Sequence, residues 1–150
     1  MSNSQSLACL LVLASLAVGC AESASSPTSP TSVGGSLTLT TEQLAGTWTL
    51  VSVQPAGQAE EATPAGATYT LTFDNGRLST RADCNVCGGA FALSGATLSA
   101  GPALACTRAA CPTMAFEGFY TRVLSGESTV TLTGNMLVLS SARGVLKFAR

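Results

Sequence analysis

The 150-residue chain contains no histidine. That absence excludes a Ser-His-Asp triad, a Cys-His nucleophile pair and imidazole metal ligands. Charge is scarce too: 7 Lys and Arg against 8 Asp and Glu leave a net charge of −1. Such a balance offers no broad basic surface for nucleic acid and no strong acidic field. Aromatic residues make up 5% of the chain, so large side chains to fill a core are few and cross-links help such a domain. The apolar run from Leu7 to Val18 is too short to span a bilayer as a permanent helix, which takes about 20 residues. It fits the core of an export signal, about 7–15 residues long, which is removed and does not fold.

The run ends in Leu16-Ala17-Val18-Gly19-Cys20, which resembles the bacterial lipobox, where a small residue precedes a cysteine that is lipidated and becomes the new amino terminus. Ala17 stands where Leu is usual, and no Lys or Arg precedes the run. The alternative is an ordinary cleaved signal in which Cys20 is incidental. A multiply acylated cysteine gives firm membrane attachment, whereas a single chain holds only marginally. Ala21 follows, and resemblance to Gram-negative lipoproteins then favours the outer membrane, because the usual retention signal there is Asp. From Cys20 to Thr38 the chain is rich in Ser, Thr and Pro with almost nothing bulky to bury, the composition of a flexible tether. The expected organisation is a signal at 1–19, a tether at 20–38 and one domain at 39–150.

Within that domain the prevailing period is two. Tyr69, Leu71 and Phe73 alternate with threonines, Asp74-Asn75-Gly76 supplies a turn, and Leu78, Thr80 and Ala82 continue as the return strand of a hairpin. Further strands are predicted at Thr47 to Val53, Ala90 to Leu93, Thr97 to Ser99, Thr129 to Thr133, Met136 to Ser140 and Val145 to Phe148. Short strands joined by tight turns argue for a mainly β fold, an antiparallel meander or small barrel-like sheet. One stretch breaks the period: Phe116, Phe119, Tyr120 and Val123 recur at helical spacing, predicting a single helix over about 112–125 packed across or plugging the sheet. A shorter helical turn is expected at Thr41 to Ala45. Trp48 reads as a core residue of the first strand rather than a ligand platform.

Cys84, Cys87, Cys106 and Cys111 admit three readings: structural disulfides, a tetrathiolate metal site, or a redox pair. Export favours disulfides. The second pair has four intervening residues where a zinc ribbon prefers two, and no βαβ unit accompanies Cys84 and Cys87. Gly34-Gly35 and Gly88-Gly89 lack the Lys and strand-helix setting of a phosphate loop. The acidic residues form no close motif beyond Glu60-Glu61, which reads as solvated. No catalytic residue, metal ligand or cofactor is expected, and the chain reads as a non-enzyme.

Several segments in order resemble one family. They are Leu44-Ala45-Gly46-Thr47-Trp48-Thr49-Leu50, Leu71-Thr72-Phe73 with Gly76-Arg77, Cys84-Asn85, Thr107-Arg108-Ala109-Ala110-Cys111, Glu117 with Phe119 and Leu124, Leu137-Val138-Leu139, and Leu146-Lys147-Phe148. Together they look like the META domain, also called HslJ-like, from about Thr41 to Arg150. The family commonly carries Gly before the Cys-Asn pair, where this chain has Asp83. The resemblance implies a compact antiparallel β domain with one helix, found in exported or lipid-anchored bacterial proteins linked to heat or antibiotic stress, with no established reaction. It also implies a pairing of Cys84 with Cys111, the positions matching the family's own two cysteines, which leaves Cys87 for Cys106.

If disulfides draw the loops of Asn85 and Thr107-Arg108 together and the helix brings Glu117 near, those four residues form a polar patch that is a candidate binding site. The structural alternative has Asn85 capping a turn, Thr107 bonding backbone, and Arg108 paired with Asp83 or Glu117 at the surface. The functional expectation is a non-catalytic envelope lipoprotein, held to the membrane through acylated Cys20, with an envelope protein or lipid as partner. The alternative is a carrier of lipid or small apolar ligands, which requires an enclosed cavity of about 300 Å³ or more. A thiol-redox protein is a more distant reading. Non-reducing peptide mapping of natively exported protein is expected to recover Cys84–Cys111 and Cys87–Cys106 peptides. A Cys84–Cys87 link or four free thiols would refute that pairing.

Overall fold

In the computed structural model, which describes residues 38–101 and 104–150, chain alternation becomes a closed sheet. The expected signal at 1–19, Cys20 and the tether up to residue 37 lie outside the described residues. The strands are β1 (Gly46–Pro55), β2 (Glu61–Ala62), β3 (Tyr69–Asp74), β4 (Arg77–Ala82), β5 (Asn85–Ser94), β6 (Thr97–Ala100), β7 (Ala105–Cys106), β8 (Gly126–Thr133), β9 (Met136–Ser141) and β10 (Gly144–Ala149). Helices are α1 (Thr41–Leu44) and α2 (Met114–Leu124). The sheet runs β10-β9-β8-β6-β5-β4-β3-β1, and β1 pairs back onto β10, so eight antiparallel strands close into a barrel. Two short strands lie off this ring: β2 continues the β3 edge of β1, and β7 continues the β6 edge of β5.

The β3–β4 hairpin forms because both central turn residues accept positive φ, Asn75 at 46° and Gly76 at 74°, the twist-matched two-residue turn. Its inward residues are Tyr69, Leu71, Phe73, Leu78, Thr80 and Ala82, as the alternation predicts. β1 is less regular. Its pairing with β10 slips between Leu50 and Ser52, leaving Val51 as an exposed bulge residue. Trp48 and Leu50 therefore point inward before the bulge and Val53 after it, so one long strand serves the core in two registers. Gly144 sits opposite Pro55 where a Cβ would lie 2.2 Å from the carbonyl oxygen of Gln54, so only glycine fits.

Both ends of the barrel are stoppered. At one end α2 packs on β1, β4 and β10, inserting Phe116, Tyr120, Val123 and Leu124. Tyr69 meets Phe116 and Tyr120 edge to face, with ring centroids 5.0 and 5.3 Å apart. The helix starts at Met114 rather than Pro112 and ends at Leu124. Beyond that end Arg143 donates to the carbonyls of Arg122 and Ser125. At the other end Leu44 of α1 is buried, its carbonyl accepts from the Trp48 indole at 2.8 Å, and Arg150 stacks 3.8 Å from the Trp48 ring while donating to the carbonyls of Gln43, Leu44 and Ala45.

Tyr120 is fully buried, with its hydroxyl 2.5 Å from Thr80 Oγ1, which itself donates to the carbonyl of Thr70 at 2.6 Å. Burial pushes the Tyr120 phenol well above the usual tyrosine range. A raised folded pKa means that this contribution to stability is fully present below the unfolded value of 10.0 and is lost as pH rises beyond it. Tyr120→Phe is expected to cost about 1 kcal/mol at neutral pH, since Thr80 keeps its carbonyl partner. Above about pH 10 the parent should lose that advantage at roughly 1.4 kcal/mol per pH unit, so denaturant midpoints of parent and variant converge. Parallel curves would disprove the assignment.

Candidate functional site

At the α2 end, the turn from β4 into β5 passes through Asp83 at φ 57°, a left-handed conformation that Gly adopts freely and Asp tolerates. Asp83 thus meets the backbone demand of this turn. The Asp83 carboxylate accepts from Thr113 at 2.7 Å, and the Tyr69 hydroxyl lies 2.7 Å from the same Thr113 oxygen. Tyr69 is raised above the ordinary phenol range by burial first, opposed by its Thr113 bond, with the Asp83 and Glu117 charges adding to the rise.

The turn delivers Cys84 and Asn85 beneath the segment that follows β7. Cys84 bonds Cys111 with Cα atoms 5.7 Å apart, and Cys87 bonds Cys106 with Cα atoms 4.0 Å apart, the same pairing that the resemblance implies. Each link is worth about 2–4 kcal/mol through restriction of the unfolded chain. Asn85 is 2% exposed, and its carboxamide is fully engaged. Oδ1 accepts from the Ala109 N–H at 2.8 Å and the Thr107 hydroxyl at 2.9 Å. Nδ2 donates to the Ala109 carbonyl at 3.1 Å and to both Glu117 oxygens at 3.0 Å, and it lies 3.1 Å from Cys111 Sγ. The side chain thus treats Ala109 as a neighbouring strand would, extending the β5 ladder beyond its backbone. Thr107 also accepts from the Val86 N–H at 3.0 Å.

Asn85, Thr107 and Glu117 are therefore brought together as expected, but Arg108 is not part of their network. Among the described residues Arg108 forms no ion pair with Asp83 or Glu117; the Asp83 carboxylate accepts from Thr113 and that of Glu117 from Asn85. The observed salt bridge is elsewhere, Lys147 to Glu60 at 2.7 Å. Above the network lies an open groove of about 360 Å³, lined by Asn85, Thr107, Arg108, Met114, Glu117 and Thr121 among others. Met114 is 59% exposed there. The barrel interior, by contrast, is filled by Leu44, Trp48, Tyr69, Phe73, Tyr120 and Phe148, each at most 1% exposed. A ligand carried inside the barrel would have to displace that core.

A META domain profile matches residues 38–150. The chain belongs to the META domain family. Its fold is shared with a protein from Burkholderia xenovorans solved by NMR, 29% identical, covering 73% of this chain and 85% of that one with a TM-score of 0.60. A second NMR structure is 27% identical, covers 74% of this chain and 94% of its own, and has a TM-score of 0.59. A lipocalin-like protein from Bacteroides uniformis is 21% identical over 72% of this chain and 98% of that one, at a TM-score of 0.49. A search of the curated proteins found no match.

In this META domain the two disulfides indicate an oxidising, exported compartment. Strand β7 and the role of Asn85 were missed by sequence reasoning. The signal for the latter was Asp83, a residue type that tolerates the left-handed turn delivering Cys84 and Asn85. Asn85→Ala leaves the Ala109 backbone pair and the Glu117 carboxylate without their partner. It is expected to cost about 2–3 kcal/mol in non-reducing urea unfolding and to speed amide exchange at Ala109. Unchanged exchange there would remove Asn85 from the role of ladder extension.

Proposed function

We propose that this META domain is a non-catalytic binding module of the cell envelope, anchored through acylated Cys20, which takes its partner in the groove between residues 106–110 and α2. The observation that carries this reading is the contrast between a packed interior and an open groove. Polar floor groups there are held in place by one another, while the Arg108 side chain has no partner among the described residues. A floor fixed beforehand lowers the ordering cost of binding, and the exposed Arg108 is open to an acidic group.

The groove and the first described residues lie at opposite ends of the barrel. β5 runs from the groove at Asn85 to the turn at Gly95 and Ala96, and Thr38 and Leu39 lie beside that turn. A ten-residue strand separates the two by about 30 Å. The Leu7–Val18 run and the lipobox-like segment ending at Cys20 motivate the anchor, and Ala21 motivates the outer membrane. The link to heat or antibiotic stress comes from the family resemblance.

In the native host, Cys20→Ser should shift the protein from the membrane to the soluble fraction. A photo-crosslinking residue replacing Met114 should yield a discrete envelope adduct that the same probe replacing Thr131, at the far end of the barrel, does not. Unaltered fractionation of Cys20→Ser would refute the anchor. Identical adduct patterns from both probe positions, or none from either, would refute the groove as the binding surface.

A further inference from the structure

The groove has one wall made of backbone rather than side chains. β7 continues the β6 edge of β5, but whereas β6 is covered by β8, the outer edge of β7 has no strand beside it among the described residues. Thr107 donates its N–H to the Val86 carbonyl and its hydroxyl accepts from the Val86 N–H, so residues 86 and 107 stand where a hydrogen-bonded pair of the antiparallel ladder would fall. The next pair, Cys87 and Cys106, is then of the non-bonded type, whose close Cα approach agrees with the 4.0 Å between them. Cys106 accordingly turns its N–H and carbonyl away from β5. Thr107 and Ala109 are tied inward, to Val86 and Asn85, so Arg108 between them also faces outward, and among the described residues no hydrogen bond reaches it. Cys106 and Arg108 thus present amides and carbonyls at the two-residue repeat that an added strand requires.

The opposite wall is the second face of α2. Met114, Glu117 and Thr121 recur at helical spacing and line the groove, while Phe116, Tyr120, Val123 and Leu124 of the same helix serve the core. From Met114 to Thr121 the helix rises about 10 Å, the length of roughly three extended residues.

We propose that this groove takes a single extended segment of an exported partner protein by strand addition to Cys106 and Arg108, with an acidic side chain of the segment set against Arg108. The proposal rests on the groove-binding reading above. Arg108, exposed and without an ion pair among the described residues, selects an acidic residue beside it, while the Glu117 carboxylate keeps its charge but is held on the α2 wall by Asn85. The α2 wall selects a loose segment over a second copy of this chain, since a strand already built into a folded barrel cannot enter between edge and helix. Strand addition supplies affinity through the main chain, and the charge supplies register and choice.

The test uses the mature chain and a blocked octapeptide of alternating threonine and valine with a central glutamate. Three comparisons accompany it: a lysine counterpart, a glutamate peptide N-methylated on both sides of the charged residue, and Arg108→Glu protein. The glutamate peptide should bind and shift the amide resonances of Cys106 and Arg108. The lysine peptide should bind about tenfold more weakly, Arg108→Glu should reverse that order, and N-methylation should abolish binding. Equal binding of the N-methylated peptide, shifts that miss Cys106 and Arg108, or no binding by any peptide would overturn strand addition. A concentration-dependent dimer that perturbs those same amides would overturn it in favour of self-association. If the Met114 adduct persists in any of these cases, groove binding stands and only the strand mode falls. Loss of both removes both readings.

Discussion

Pairing of the first long strand with the last is the constraint on which the rest of this molecule depends. β1 and β10 are brought together from opposite ends of the domain, and their contact turns an open meander into a barrel whose principal edges are all paired. Closure is geometrically demanding. It is met by the bulge at Val51, which lets one strand curve between two registers, and by Gly144, where no side chain fits. Closure also defines an inside, and the few aromatic residues of the chain are concentrated there. Trp48, Tyr69, Phe73, Tyr120 and Phe148 occupy it together with leucines, while α1 and α2 cover its ends.

A closed and filled barrel leaves open grooves only on its outside. The segment from Ala105 to Ala110 is the main departure from the ring, and it is tied down by three different means: the Cys87–Cys106 bond, the Asn85 carboxamide and the Cys84–Cys111 bond just beyond it. The disulfides bring loop, strand and helix start into contact, and Asn85 sets the conformation between them. Without that side chain the segment would have ladder partners only as far as Thr107. The same asparagine holds Glu117, so a residue on α2 and a strand edge are referred to one buried amide. These ties give the open groove a rigid frame that an ordinary loop cluster lacks.

Much of the fold was legible because half-buried strands write their geometry into composition. The Tyr69–Ala82 hairpin was readable from alternation and from Asn75-Gly76, and the helix from the recurrence of Phe116, Phe119, Tyr120 and Val123. The helix start was displaced by two residues because Thr113 spends its hydroxyl on Asp83 and Tyr69, leaving Pro112 ahead of the first turn. The short strands β2 and β7 and the first half of β5 were not legible. They contain too few residues to show a period, and in Asn85 to Gly89 burial follows the disulfides and the Asn85 network more than a repeating hydrophobic pattern. The site was legible in membership and not in wiring. Asn85, Thr107 and Glu117 converge, whereas Arg108 stands apart, because which cation meets which carboxylate depends on competing hydrogen bonds that no spacing encodes.

By itself the sequence determined the mainly antiparallel β class, the single helix, the turn positions and the lack of histidine chemistry. Each of these follows from local stereochemistry or from residue types present or missing. Tertiary structure alone decided that the sheet closes, that its interior is packed with side chains, that Asn85 substitutes for a strand neighbour and that Cys106 and Arg108 face outward with no strand beside them among the described residues. Those outcomes depend on register and on the sum of side-chain volumes, and both arise only when residues distant along the chain compete for the same space and the same hydrogen-bond partners.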